Sequence, residues 1–344
     1  VRGLDRHADL LRATVASAGN DHRLGANEAP PAILSIYMGA ELEHVLAHLE
    51  AGETSEFEHS TTLDLGTTAM PKLERHPGDR NRTSPFAFIG NRFEFRAVGS
   101  TAVPAWPNAV LNTIVTESLD HIATRLEADI TDGMAAEDRS AAILDVLRDV
   151  YKEHKRVVFN GDNYSDAWHA EAEKRGLPNL RGCADALPAL GSDKARKLFS
   201  DYGVLGESEL DARLMVLFET YVNVMEIEAR TLIRMIQTMV IPAAIRHQSE
   251  LAGAIATTDA AGVNPEAVRG RLTDLMNYIT SLEVACHELE NRLGNLGGEA
   301  ENQTRMIQDT LVPAMEKVRS YSDKIEGIVP DDLWPLPTYL DLLF

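Results

Sequence analysis

The sequence predicts an α+β fold in which a small β-containing segment is followed by a mainly α-helical bundle, and three observations carry that prediction. Arg92-Phe93-Glu94-Phe95-Arg96 alternates charged and aromatic residues with the period-two spacing of a strand. Gly90-Asn91, two residues that tolerate positive φ, joins it to the apolar run Pro85–Ile89 as a hairpin. Beyond Val103 the pattern turns helical, ending in two apolar series stepped by four and three.

In chain order, a helix is expected over Leu4–Ala18, then a Gly/Asn/Pro loop over Asn20–Pro31, an apolar run Ala32–Met38 and a helix over Glu41–Glu50. Ala51–Ser84 is polar with few apolar anchors, which describes a long surface loop or lid. The strands Pro85–Ile89 and Arg92–Val98 follow, then two helical blocks separated by a Gly/Pro-rich interruption between Phe159 and Ser192. Leu210, Leu214, Leu217, Tyr221, Met225, Leu232 and Met239 form a core-facing stripe that Pro242 should kink or end. Leu275, Ile279, Leu282, Cys286, Leu289 and Leu293 form one heptad seam, and Ile307, Leu311, Ala314, Val318, Tyr321, Ile325 and Ile328 a second. Asn264-Pro265 supplies a cap and an N1 proline, and Gly294, Gly297 and Gly298 break the chain between the seams, so an antiparallel helical hairpin is expected.

Composition narrows the function. A length of 344 residues with 44% hydrophobic and 25% charged content describes a folded chain of two or three domains. A net charge of −20 argues against nucleic acid as a partner, because a phosphate-backbone binder needs a basic surface. Cys183 and Cys286 stand far apart, so neither a disulfide framework nor a structural zinc site is expected, and a cytoplasmic location fits. Val1–Asp9 lacks the apolar core of a signal peptide, no stretch has the length of a membrane span, and no membrane association is expected. Because Val1 falls inside a helical pattern, a preceding segment of the native protein is expected.

Alternation puts Arg92, Glu94 and Arg96 on one face of their strand, with Phe93 and Phe95 turned to a core on the other. A carboxylate between two guanidiniums suits an anionic substrate and a divalent cation: arginines grip carboxylate or phosphate oxygens in pairs, and Glu94 offers oxygen to Mg²⁺ or Mn²⁺. The alternative is an exposed strand whose charges neutralise one another. Asp79-Arg80-Asn81-Arg82-Thr83-Ser84 adds arginines and hydroxyls just upstream, and Arg23–Pro31 has the parts of a flap: an arginine, a glutamate, a flexible centre and a stiff exit. His44 and His48, spaced i, i+4, lack the HExxH context of a zinc site, and neither a Walker A loop nor GxGxxG is present.

Taken in order, Asn20-Asp21-His22-Arg23-Leu24-Gly25-Ala26-Asn27-Glu28-Ala29-Pro30-Pro31, Asn81-Arg82-Thr83-Ser84-Pro85-Phe86 and Asn91-Arg92-Phe93-Glu94-Phe95-Arg96 resemble the glutamate flap, phosphate loop and Arg-x-Glu-x-Arg strand of glutamine synthetases. The flap wording, the long insert before Asn81, Phe159-Asn160-Gly161-Asp162 and Val240-Ile241-Pro242 are similar to the type III branch. The resemblance implies an ATP-dependent glutamate–ammonia ligase acting on L-glutamate, ammonia and ATP with Mg²⁺ or Mn²⁺, assembled as a ring-forming homo-oligomer. It implies that Arg82 stabilises the transferring phosphate, Arg92 contacts ATP, Glu94 ligates metal and Arg96 meets the substrate carboxylate or product phosphate. Arg23 would grip glutamate, and Glu28 would shield the acyl phosphate and help deprotonate ammonium.

The implied organisation is the C-terminal part of the catalytic domain over residues 1–104, a helical linking region over 105–204 and a helical bundle over 205–344. The family's second arginine and its lysine near the strand have no counterpart at Ala87, Phe88 or Gly90-Asn91, and its other metal ligands precede the flap, so the 344 residues alone are expected to be inactive. Two readings compete: another ATP-dependent phosphoryl transferase on the same scaffold, and a noncatalytic helical oligomerisation or regulatory protein.

Overall fold

A computed structural model describes residues 1–26, 29–53, 62–63, 73–74, 84–97, 99, 102–338 and 341–343. The chain divides into two compact units, Val1–Leu214 and Met215–Phe344. The fold is mostly helical with a small three-stranded sheet.

The first unit opens with α1 (Arg2–Ala13), closed where the Thr14 hydroxyl donates to the Leu11 carbonyl at 2.7 Å. The expected helix therefore stops short of Ala18, and a second short helix, α2 (Ala18–Arg23), occupies the start of the expected loop. It forms there because the Asn20 amide reaches back to the Val15 carbonyl at 2.6 Å. The run after Pro31 contributes only a two-residue strand, β1 (Ile36–Tyr37), before α3 (Gly39–Ala51). Within the expected 51–84 loop the described residues form a small antiparallel pair, β2 (Thr62–Leu63) with β3 (Leu73–Glu74).

The sheet has the order β1-β4-β5, with β4 (Phe86–Phe88) parallel to β1 and antiparallel to β5 (Phe93–Phe95). Gly90 takes φ of +97°, and the Ile89 amide donates to the Arg92 carbonyl at 2.9 Å, which closes the two-residue turn as its sequence requires. Beyond the sheet lie α4 (Ala105–Asp129), α5 (Ala136–His154), α6 (Asp166–Lys174), α7 (Cys183–Ala186) and α8 (Asp193–Asp201). Leu10 and Leu11 of α1 are fully buried, and α1 packs on α4, α5 and α7. Burying each such leucine stabilises the unit by about 1.5–3 kcal/mol.

A kink interrupts α1 at His7 (φ −132°, ψ 22°), and the imidazole there is buried. Its nearest carboxylate, Glu117, lies 3.6 Å away and is already held by Arg2 at 3.0 Å. Burial, then Lys194, keeps His7 below its ordinary pKa of 6.5, with Glu117 and Asp9 opposing and Arg6 assisting. The unfolded chain therefore takes up this proton more readily than the folded one. The stability contributed by neutral His7 is complete above pH 6.5 and is lost as pH falls below that value. Between pH 7.5 and 5.5, urea unfolding should show the wild type losing on the order of 1 kcal/mol more than His7→Gln. Equal losses would show that His7 does not titrate on unfolding.

The helix α9 (Glu207–Met235) leads into the second unit, which contains α10 (Ile241–Ala260), α11 (Glu266–Gly294), α12 (Ala300–Met306) and α13 (Val312–Glu326). Pro242 does not end its helix: the preceding turn, Ile236–Val240, widens to a π turn in which the Ile241 amide donates to the Ile236 carbonyl. The same device, Ile307–Leu311, precedes Pro313. Since a proline ring would collide with the carbonyl four residues back, a wider turn accommodates it without breaking the rod.

All six residues of the first expected seam, Leu275 to Leu293, are buried, as are Ile307, Leu311, Ala314, Val318 and Ile325 of the second. Tyr321 and Ile328 are half-buried, and Val329 is buried beside them. Lys317 reaches Glu288 at 2.8 Å and Lys324 lies 5.6 Å from the Tyr278 ring, so α11 and α13 run antiparallel. Hydrogen bonds from Lys317 and Arg292 pull the Glu288 carboxyl down to about 2. Pro265, expected as the first helical residue, instead takes the cap position, where no side chain makes a capping bond.

Candidate active site

The β5 strand gathers three of the expected site residues. Glu94 stands between two guanidiniums, its Oε2 at 3.3 Å from Arg96 Nη2 and its Oε1 at 3.8 Å from Arg92 Nη2. The alternation of the strand thus places Arg92, Glu94 and Arg96 on one face. Arg96 is largely sheltered, Arg92 is exposed, and the Glu94 side chain keeps 38% of its surface open to solvent. Backbone pairing continues past the strand, since the Arg96 amide donates to the Pro85 carbonyl at 2.8 Å. Opposite Glu94 in register is Ala87, fully buried, which itself pairs with Tyr37 of β1.

Phe93 and Phe95 occupy the other face but do not enter a closed core. They form a cross-strand cluster with Phe86 and Phe88, with ring centroids 5.2–6.3 Å apart, and Phe93 remains 45% exposed. A three-residue edge strand has no layer wide enough to cover four rings, so the aromatics cover one another. On this face Phe86 also lines an apolar cleft of about 210 Å³ with Leu4, Ile36, Ile114 and Val150, turned away from Glu94.

Arg23 is exposed at the C-terminal end of α2. The loop after it turns on Gly25, whose φ of +76° suits glycine and whose amide donates to the Pro30 carbonyl at 3.0 Å, tying the loop's ends together. Glu28 and Arg82 lie outside the described residues, as do Asn27, Asn81 and Thr83. Four of the six expected residues therefore have a described position, and three of those four share one strand face.

Residues without an expected role support these elements. Asn160 accepts hydrogen bonds from the amides of Met38 (2.8 Å) and Gly39 (3.1 Å), holding the junction of β1 and α3, and donates to Glu43 at 2.5 Å. Ser35 donates to Asn163 at 2.6 Å inside the protein. Phe159 stacks on Trp168 at 3.8 Å, with Gly161 so close beneath the ring that an added Cβ would meet it at 2.5 Å, which is why glycine stands there. The Phe159-Asn160-Gly161-Asp162 signature is in this sense a clamp on the segment leading out of the flap. Asp21 accepts from the Cys183 amide (3.1 Å) and thiol (3.3 Å), and the buried Arg12 donates to the carbonyls of Leu180 and Arg181 at 2.8 Å. The sequence signals were an asparagine–glycine loop and an aspartate inside the flap motif, neither of which names its partner.

His44 and His48 contact each other edge to face, centroids 4.2 Å apart, and among the described residues no three His, Cys, Asp or Glu side chains are grouped closely enough to hold a metal ion. Glu94 has the donor chemistry a hard divalent cation prefers and an accessible carboxylate, so it fits as one ligand of such an ion. Among the described residues, no helix is long and apolar enough to cross a membrane.

Comparison with known proteins gives these features a context. Residues 142–259 match the family model "Glutamine synthetase C-terminal domain". The whole chain is 40% identical to a type-3 glutamine synthetase of Dictyostelium discoideum, covering 47% of that protein. It is 32% identical to a glutamine synthetase of Bacteroides fragilis over 98% of the chain and 48% of the relative, and 32% identical to one of Butyrivibrio fibrisolvens over 100% and 49%. The chain thus spans about half the length of the curated relatives it matches. With the flap wording and the Arg–Glu–Arg strand, these matches make the chain similar over its whole length to glutamine synthetases, one of them named type 3, with residues 142–259 matching their C-terminal domain.

Proposed function

We propose that this chain carries part of the active site of an ATP-dependent glutamate–ammonia ligase, and that residues 1–104 supply it as the C-terminal part of a catalytic domain. The helices of 105–204 link that part to a bundle over 205–344, and the assembly is a homo-oligomer of the cytoplasm. The observation that carries the reading is the placement of Glu94 between Arg92 and Arg96 on an accessible strand face, preceded in sequence by a flap that carries Arg23.

The γ-carboxylate of glutamate attacks the terminal phosphorus of ATP, giving γ-glutamyl phosphate and ADP. Ammonia then attacks the acyl carbon, phosphate departs, and the ammonium nitrogen loses a proton to give glutamine. Negative charge develops on phosphoryl oxygens in both steps, which is where fixed guanidiniums act most strongly. Arg92 faces the nucleotide, Arg96 the substrate carboxylate or released phosphate, and Arg82 the phosphoryl group in transit. Arg23 holds glutamate, and Glu28 closes over the acyl phosphate and takes the ammonium proton. Glu94 would supply one oxygen to a Mg²⁺ or Mn²⁺ ion, which when bound neutralises phosphate charge. The neighbouring arginines orient its carboxylate.

The test is formation of glutamine from glutamate, ammonia and ATP by the gene product that contains this chain, with and without divalent metal. ATP- and metal-dependent glutamine formation is expected. Hydrolysis or transfer to another acceptor with no glutamine formed would favour a different phosphoryl transferase, and no turnover of ATP would favour a scaffold.

A further inference from the structure

The flap helix α2 has six residues, too few to hold its own conformation in water. Something outside it must fix where Arg23 stands. Asp21 lies two residues before Arg23 on this helix, and both of its oxygens are engaged by a segment far along the chain: Oδ2 accepts the Cys183 amide at 3.1 Å and Oδ1 the Cys183 thiol at 3.3 Å. That amide is the first of α7, so the Asp21 carboxylate caps the N-terminus of α7 from another element. The residues just before α7 are held as well by Arg12, which donates to the Leu180 and Arg181 carbonyls and is itself buried in α1.

The charges at this junction are matched. Burial lowers the pKa of Arg12, while Cys183, Asp21 and Asp185 act to raise it. The Cys183 thiol is pushed up by burial and then by Asp21, so it is a neutral S–H donor rather than a thiolate. Asn20, also buried, adds its bond to the Val15 carbonyl. One side of α2 is therefore stitched to the connection from α1 and to α7, and Arg23 stays exposed.

We infer that Asp21 is a positioning residue for the flap: through its two bonds to Cys183 it fixes α2, and with it the direction from which Arg23 meets the substrate. This rests on the proposed ligase reading for its kinetic consequence, but its structural consequence stands alone. Neither Asp21 nor Cys183 is proposed to touch substrate. Their influence passes through Arg23, so it falls on the amino-acid substrate rather than on ATP.

The experiment compares Asp21→Asn, Asp21→Glu, Cys183→Ser and Cys183→Ala in the gene product that contains this chain. Steady-state kinetics should show KM for glutamate raised about tenfold or more in Asp21→Asn, with KM for ATP within about twofold of wild type. Cys183→Ser, which keeps a donor, should stay near wild type, and Cys183→Ala, which keeps only the backbone N–H, should fall between. Hydrogen exchange of the Leu24, Gly25 and Ala26 amides should accelerate about tenfold or more in Asp21→Asn, with partial recovery in Asp21→Glu. An unchanged exchange rate at those amides would overturn the inference whatever the activity. So would equal increases in both KM values, which would mark a general structural defect. A wild type that forms no glutamine would count against the ligase reading alone, since the exchange measurement would still decide the anchor.

Discussion

Replacing Glu94 with glutamine is expected to lower kcat/KM for glutamine formation by about 10²-fold or more while leaving the folded state nearly unchanged. The substitution keeps the shape of the side chain and removes its charge. Arg92 and Arg96 then lose the carboxylate that lies 3.8 and 3.3 Å from them, and a divalent cation loses an anionic oxygen. Stability should move by no more than about 0.5 kcal/mol, because the pair is partly open to water and such pairs are screened. The two effects are read by kinetics in the gene product and by thermal unfolding of the same protein. Unaltered kinetics would return the strand to an ion-paired surface and remove Glu94 from the reaction.

The largest stability change is expected in the second unit, from Leu289→Ala. Leu289 is fully buried in α11, which packs on both α10 and α13, so no single neighbour can move in to fill the space. Such truncations destabilise by about 2–5 kcal/mol, the upper part of the range applying where the site cannot collapse. Denaturant unfolding followed by helix signal should show a loss of about 3 kcal/mol or more. A loss below about 1 kcal/mol would mean that the α11 seam is not the unit's packed centre.

Local patterns were legible in the sequence, and long-range partnerships were not. The α11 seam is right at every position because heptad spacing in an uninterrupted helix depends on nothing outside it. The α9 stripe is right at Leu210, Tyr221 and Met225, but Leu214 and Leu217 are half-buried, and beyond Met225 the core passes to Ala229, Ile233, Ile236 and Val240, leaving Leu232 and Met239 half-buried. The cause is a choice between adjacent apolar residues that only tertiary packing resolves. The face shared by Arg92, Glu94 and Arg96 was legible because strand alternation needs only three neighbours in sequence. The clamps were not. Asn160 finds its partner 122 residues away and Asp21 finds Cys183 at a separation of 162. Nothing in either residue's surroundings names the other.

The prolines of the second unit carry a consequence for how its helices change over evolution. In an ordinary α-helix, losing one residue rotates everything beyond it by about 100° and would turn a core face toward water. Each wide turn before Pro242 and Pro313 holds one residue in excess of α spacing, so a one-residue deletion within Ile236–Val240 or Ile307–Leu311, made together with replacement of the proline whose ring would then meet the carbonyl four residues back, returns the turn to that spacing and keeps the faces on either side aligned. These two stretches are where the bundle can shorten a rod without repacking its interior. A deletion at the middle of α11 has no such reserve and would carry Leu289 and Leu293 out of their seam.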